Sequence, residues 1–307
     1  MGPTFRSGVQ GKIMWMRTHT MATFVALLLS FVASACGSRE PAPREYELTG
    51  QVLAITGDQK EANIKHDEIK GFMPAMTMPY KVKEAKEFAG LKPGDLIRAK
   101  LVVLSNDAYL EAVKKVGEAP LEKAPEEKPA ASSGFELLKE GEPIPNMPFV
   151  DQSGKKVELP RSFQGQALAL TFTYTRCPMP TFCPLMDRNF AAMQEKLKAD
   201  PAFKAHLVSV SVDPKTDTPA VLKEHAQKLG ADPKLWTFVT GDRDDIDKFA
   251  SRFGLSVVRG LTDQADINHT LRTVIIDRQG HLVKTYVGNE WNPESVVADM
   301  KTLVGGD

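Results

Sequence analysis

The sequence is poor in cysteine and has no surplus of either charge. Three cysteines stand among 307 residues, Cys36, Cys177 and Cys183, which excludes a disulfide-dense scaffold and makes their positions matter more than their number. Lysine and arginine total 39, and aspartate and glutamate also total 39. With no basic stripe or tail, the chain does not read as a nucleic-acid partner. Long hydrophobic runs are missing too. The apolar run at 21–33 (MATFVALLLSFVA) is too short for a comfortable transmembrane helix. No internal repeat is visible. No Cys-x-x-Cys pair occurs, and no threonine stands three residues before Cys177 or Cys183, so the close dithiol of an oxidoreductase and the usual peroxidase loop are both absent.

The short apolar run reads as an export signal. Arg17 precedes it, and Ser34-Ala35-Cys36-Gly37 follows. This resembles a bacterial lipoprotein signal, spanning 1–36, in which Cys36 becomes the lipidated first residue of the mature protein. Ala33 stands where such signals usually carry a larger aliphatic residue, and Met16 offers an alternative start. An ordinary cleaved signal is the other reading. Either one places the folded protein outside the cytoplasm, in the cell envelope or periplasm, where disulfides form. Acyl chains on Cys36 would tie it to a membrane and leave Cys177 and Cys183 as one thiol pair.

Beyond a short tether the chain divides in three. Residues 46–117 alternate in five short runs at 46–55, 61–66, 76–82, 95–104 and 109–116, separated by turn signals such as Lys92-Pro93-Gly94-Asp95. That pattern predicts a small all-β domain, an OB-like five-stranded barrel. Residues 118–134 are rich in Pro, Glu, Lys and Ala, with almost nothing to bury, and read as a linker. From 135 to 307 strands alternate with helices. Helices are expected at 184–199, 219–229, 242–253 and 293–303, with Thr218, Asp242 and Asn292 as N-caps and Gly230 and Gly254 as stops. The order β-α-β-α-β-α-β-β-α predicts an α/β sheet with helices on both faces, thioredoxin-like in its arrangement.

The second domain is organised around residues 171–186, TFTYTRCPMPTFCPLM. A strand leads into a turn that carries Cys177, Pro178, Pro180 and Cys183, and a helix follows. Such a pair of thiols serves as a structural disulfide, a redox dithiol or a soft-metal site. Thiolates are soft and imidazole is their common partner. Of His206, His225, His269 and His281, His269 lies in a loop (DINHT) before a strand expected near the sheet centre, where thioredoxin-like proteins face their dithiol. It is the third candidate ligand. Asp213, ending a neighbouring strand, either orients His269 or a thiol, or caps the turn before Pro214.

Residues 173–177 with Pro178, Cys183-Pro184, 211–219 (SVDPKTDTP), Asn268-His269-Thr270 and 286–293 (YVGNEWNP) resemble the SCO/SenC family of copper chaperones. The resemblance covers 135 to the C-terminus. It implies a thioredoxin fold that binds copper, Cu(I) or Cu(II), through Cys177, Cys183 and His269. It also implies delivery to the dinuclear copper site of cytochrome c oxidase, or maintenance of that site's thiols, with the oxidase copper-binding subunit as partner. This chain departs from the family in placing five residues, 178–182, between its cysteines, two more than usual. The readings that stay open are a thiol–disulfide oxidoreductase or peroxidase on the same scaffold, and a periplasmic copper buffer or resistance protein.

In the first domain, residues 65–80 read KHDEIKGFMPAMTMPY. On a strand Met76 and Met78 share a face, and His66 ends the strand before. Two thioethers and an imidazole suit Cu(I) or Ag(I). The stretch resembles the CusF-type copper- and silver-binding barrel over 46–117, with Met73 at the place of that family's metal-capping tryptophan. Both domains thus point to copper. Thiolates should hold Cu(I) more tightly than thioethers, so metal is expected to pass from His66, Met73, Met76 and Met78 to Cys177 and Cys183 within one molecule. A linker of this length spans about 20–25 Å, for a local concentration on the order of millimolar.

Overall fold

The computed structural model describes residues 1–2, 41–121, 136–259 and 267–304. Cys36, all but the first two residues of the expected signal, and most of the expected linker lie outside these residues. Among the described residues no helix is long and apolar enough to cross a membrane. Residues 43–307 form one compact unit.

Period-two alternation in the first half folds into five antiparallel strands: β1 (Arg44–Ile55), β2 (Glu61–His66), β3 (Met76–Lys81), β4 (Asp95–Val103) and β5 (Ala108–Glu118). Their order is β3-β2-β1-β4-β5. On β2, Ala62, Ile64 and His66 are buried while Asn63 and Lys65 face out. On β3, Met76, Met78 and Tyr80 take the inner face. The expected barrel is an open sheet. Its two edges meet at a single bridge, Val82 to Leu110, and not along a ladder. β3 is six residues long and carries Pro79, which lacks the N–H a closing ladder would need and is at home on an edge strand.

The second half supplies β6 (Met147–Asp151), β7 (Lys156–Leu159), β8 (Ala167–Thr173), α1 (Cys183–Lys198), β9 (Ala205–Ser211), α2 (Pro219–Lys228), β10 (Trp236–Thr240) and α3 (Arg243–Ser251). It continues with β11 (Val257–Arg259), β12 (Ile267–His269), β13 (Arg272–Ile276), β14 (Leu282–Val287) and α4 (Pro293–Val304). The main sheet runs β14-β13-β8-β9-β10-β6-β7, with β8, β9 and β10 parallel. Every residue of these three strands is buried, as expected where helices cover both faces. Ala167, Ala169, Leu207, Trp236 and Ile275 pack with α1, α2 and α4. Leu168, Leu170, Phe172, Val208 and Val210 pack against Ile246 and Phe249 of α3. This is the thioredoxin-like arrangement. The three N-caps act as read: Thr218 accepts from Val221 N, Asp242 from Asp244 N and Asp245 N, and Asn292 from Ser295 N.

Two local details differ from the sequence reading. Cys183 is the first residue of α1 and not part of the loop before it. His269 ends a short strand, β12, paired with β11, and not a loop. β13, expected near the sheet centre, is second from its edge.

Candidate metal centre

Parallel strands present their C-terminal ends, and the loops beyond them, as the natural site of a three-layer sheet. β8 and β9 end side by side, with Thr173 opposite Ser211. The segment after β9 grips the segment after β8. Asp217, fully buried, accepts from Thr175 N at 3.1 Å and Thr175 Oγ1 at 2.5 Å, and from Ser211 Oγ at 2.6 Å. Asp213, also buried, takes Arg176 Nε at 3.1 Å and Arg176 Nη2 at 2.6 Å on one carboxylate oxygen. Such charge-assisted bonds are among the stronger ones available. Asp213 therefore holds the residue just before Cys177, and its carboxylate is engaged by Arg176, not by His269.

The loop 178–182 is pinned from outside. Arg188 donates to Pro180 O at 2.9 Å and Asn289 to Thr181 O at 2.8 Å. Within it Phe182 N donates to Met179 O at 3.1 Å. The loop delivers Cys183 to the first turn of α1, with Pro184 behind it. Phe182, the N-cap, offers no side-chain acceptor, and the backbone N–H of Cys183 at the helix start donates to the Cys177 sulfur, an environment that favours a thiolate.

The two thiols are free and close enough to interact. A hydrogen bond from Cys183 holds Cys177 down to about 7, against the burial that opposes it. Burial pushes Cys183 well up, and the neighbouring Cys177 adds to this. One thiol of the pair is thus primed to ionise first.

His269 meets them from the opposite side. Its Nε2 lies 3.6 Å from Cys183 Sγ. Its Nδ1 is 3.0 Å from Thr270 O, which fixes the proton there and leaves the Nε2 lone pair toward the sulfur. Loss of solvation among the packed walls holds its pKa down to about 4, so the ring is neutral at pH 7. Tyr174 stacks edge-on to it at 5.6 Å and donates to Ile267 O. Arg259, which the sequence reading missed, ties this strand pair down. It bonds Asp247 through two nitrogens, at 2.6 and 2.9 Å, and Val212 O at 2.7 Å. As they stand, no three His, Cys, Asp or Glu side chains among the described residues are drawn together tightly enough to hold a metal. Cys183 lies against His269, and Cys177 Sγ sits 3.9 Å from Met179 O.

The second candidate cluster lies on β2 and β3. His66 stands directly opposite Met76, and Ile64 opposite Met78. His66 is 2% exposed, and burial lowers its pKa. Its Nδ1 is 2.7 Å from Asp67 O, while its Nε2 is buried with no hydrogen-bond partner among the described residues. A buried unsatisfied nitrogen costs about 1–3 kcal/mol, and a soft ion accepted on that lone pair would offset the cost. Met73 is buried nearby, its Sδ taking a hydrogen bond from Tyr80 OH at 3.7 Å. Gly50 on β1 is what lets His66 sit there. A Cβ on Gly50 would lie 2.6 Å from Lys65 O and 2.8 Å from His66 Cα.

The two clusters open on one cavity of about 190 Å³. Met73, Met76 and Met78 of the five-stranded half and Cys177, Met179 and His269 of the other half all line it. Cys177, Met179 and Phe182 also pack into the apolar core of the five-stranded unit. The donor sets, two thiols with an imidazole and thioethers with an imidazole, are both soft and suit Cu(I).

A model of the SCO1/SenC family matches residues 142–305, more than half of the chain. A model of the copper binding periplasmic protein CusF matches residues 45–115. The chain is 30% identical over 156 residues to the SCO1 protein homolog of Bacillus subtilis (strain 168), covering 50% of this chain and 79% of that protein. An SCO2-like protein of Rickettsia prowazekii (strain Madrid E) is 28% identical over 147 residues, 45% of this chain and 66% of that protein. Among solved structures it is similar to a SCO1/SenC family lipoprotein from Bacillus anthracis str. Ames, at 30% identity and a TM-score of 0.47, covering 54% of this chain and 99% of that one. It is similar also to Bradyrhizobium japonicum ScoI with copper bound, at 27% identity and a TM-score of 0.45, covering 53% and 100%. The chain therefore belongs to the SCO1/SenC family, with a CusF-like domain ahead of its thioredoxin-like one.

Proposed function

We propose that this protein is an exported copper metallochaperone. Its second half holds copper through Cys177, Cys183 and His269, and its first half holds Cu(I), and Ag(I) by the same chemistry, through His66, Met76 and Met78 with Met73. The observation that carries the reading is the shared cavity, lined by soft donors of two strengths from the two halves. Copper passes from thioethers to thiolates and then to the copper-binding subunit of cytochrome c oxidase, whose assembly is named for a related protein of 28% identity. Family membership and the signal-like sequence before Cys36 support export and a lipid anchor at that residue. In this reading the linker over 118–134 joins the halves, and handover takes place across the cavity.

The test is transfer to a purified, copper-free oxidase copper domain. Once two copper ions per domain have moved and ferricyanide has removed one electron, that domain should show the visible absorption of a mixed-valence dinuclear copper site, and the donor protein's own metal content should fall to match. A second reading, thiol–disulfide exchange, draws on the Cys177 thiol held at about 7. Under it the recipient's disulfide would be reduced while the copper stayed in place.

A further inference from the structure

The five-residue loop between the cysteines carries a methionine, Met179, that the copper reading has so far left unused. It is 4% exposed, and it is buried in the core of the other half of the molecule, together with Met73, Met78, Tyr80 and Ile64. It also lines the cavity on which Met76 and Met78 open, beside Cys177 and His269. The loop that presents it is fixed, through Arg188 on Pro180 O, Asn289 on Thr181 O and Phe182 N on Met179 O. Met73, the remaining thioether of that half, already takes a hydrogen bond from Tyr80. A thioether is a soft, neutral donor that exchanges readily, as expected of a group shared between two sites.

We propose that Met179 is a Cu(I) ligand of the His66–Met76–Met78 site, contributed across the cavity by the dithiol loop, and the point at which copper changes hands. The proposal rests on the copper reading above. Handover is then a ligand exchange without change of oxidation state. Copper–sulfur bonds to Met76 and Met78 and the copper–nitrogen bond to His66 break while Met179 keeps hold, bonds to Cys177, Cys183 and His269 form, and the copper–sulfur bond to Met179 breaks last. Any proton still on either thiol passes to water, and copper remains Cu(I) throughout. The five-residue loop places one sulfur donor in the core of the neighbouring half while Cys177 lines the same cavity.

The test uses the full chain with Cys177→Ser and Cys183→Ser, so that the methionine site alone binds Cu(I). Affinity is read by competition with a chromophoric Cu(I) chelator, and the sulfur neighbours of copper by X-ray absorption. Adding Met179→Leu, which keeps bulk and apolarity, should weaken Cu(I) binding about tenfold and remove one sulfur from the copper shell. Leu91→Val trims a neighbour that packs on the same core away from the cavity and carries no donor atom, so it should leave both readouts unchanged. Equal affinity and an equal sulfur count with and without Met179 would overturn the assignment, as would an equal loss from Leu91→Val. If the double serine protein holds no Cu(I) at all, the copper reading of the first half fails and this inference falls with it, a result distinct from the other two.

Discussion

At the scale of single residues, the question is which imidazole in the second half serves the thiols. His269 faces Cys183 Sγ with a free Nε2. His225 instead points its Nε2 at Asp187 Oδ2, 2.9 Å away. His269→Ala should therefore change the optical and EPR signature of the copper(II) form and weaken binding by more than tenfold, since even an outer-shell partner is commonly worth 10–100-fold. His225→Ala should cost stability, about 1–3 kcal/mol for the stranded Asp187, and leave the copper spectrum unchanged. The residue-level reading of the sequence reached Cys177, Cys183 and His269 because cysteine and histidine are few and chemically conspicuous. It passed over Met179 because a methionine in a loop has no pattern to mark it. It passed over Arg259 because its partners, Asp247 and Val212 O, are brought to it only by the fold.

At the scale of elements, strand pairing sets where donors stand. β1, β2 and β3 place Gly50, His66 and Met76 in one cross-sheet row. Gly50→Ala forces backbone apart at His66. It should cost about 1–3 kcal/mol in denaturant unfolding, the range for overpacking a tight core. It should also weaken Cu(I) at the methionine site while the thiolate–copper absorption of the dithiol site is unchanged. The alternation on β2 and β3 was legible, as were the buried central strands and the three helix caps, since each is written in local periodicity or in a single side chain. The closed barrel was not, because closure depends on whether β3 and β5 lie along one another, and they touch at one bridge. The short pairing of β11 with β12 was missed for a similar reason. Three-residue strands carry too little pattern to be read, and this one decides that His269 is held by a strand and not by a loop.

At the scale of the whole molecule, the chain places two soft donor sets of different strength on one cavity within a single compact unit. Composition and motif gave the two halves separately. Their facing could not be read, because it depends on the docking of Met179 and Phe182 into the other half's core, a long-range contact with no local signature. Full burial of a side chain such as Met179 is worth about 1.5–3 kcal/mol, and the partly buried Phe182 adds less. The dithiol loop therefore contributes to holding the two halves together as well as to binding copper. If one chain carries two copper sites, mass spectrometry of the intact, reduced protein counts them. Two Cu(I) per chain are expected, one after Cys177→Ser with Cys183→Ser, one after Met76→Leu with Met78→Leu, and none when all four are changed. A single Cu(I) per chain, lost with either pair alone, would contradict the two-site reading.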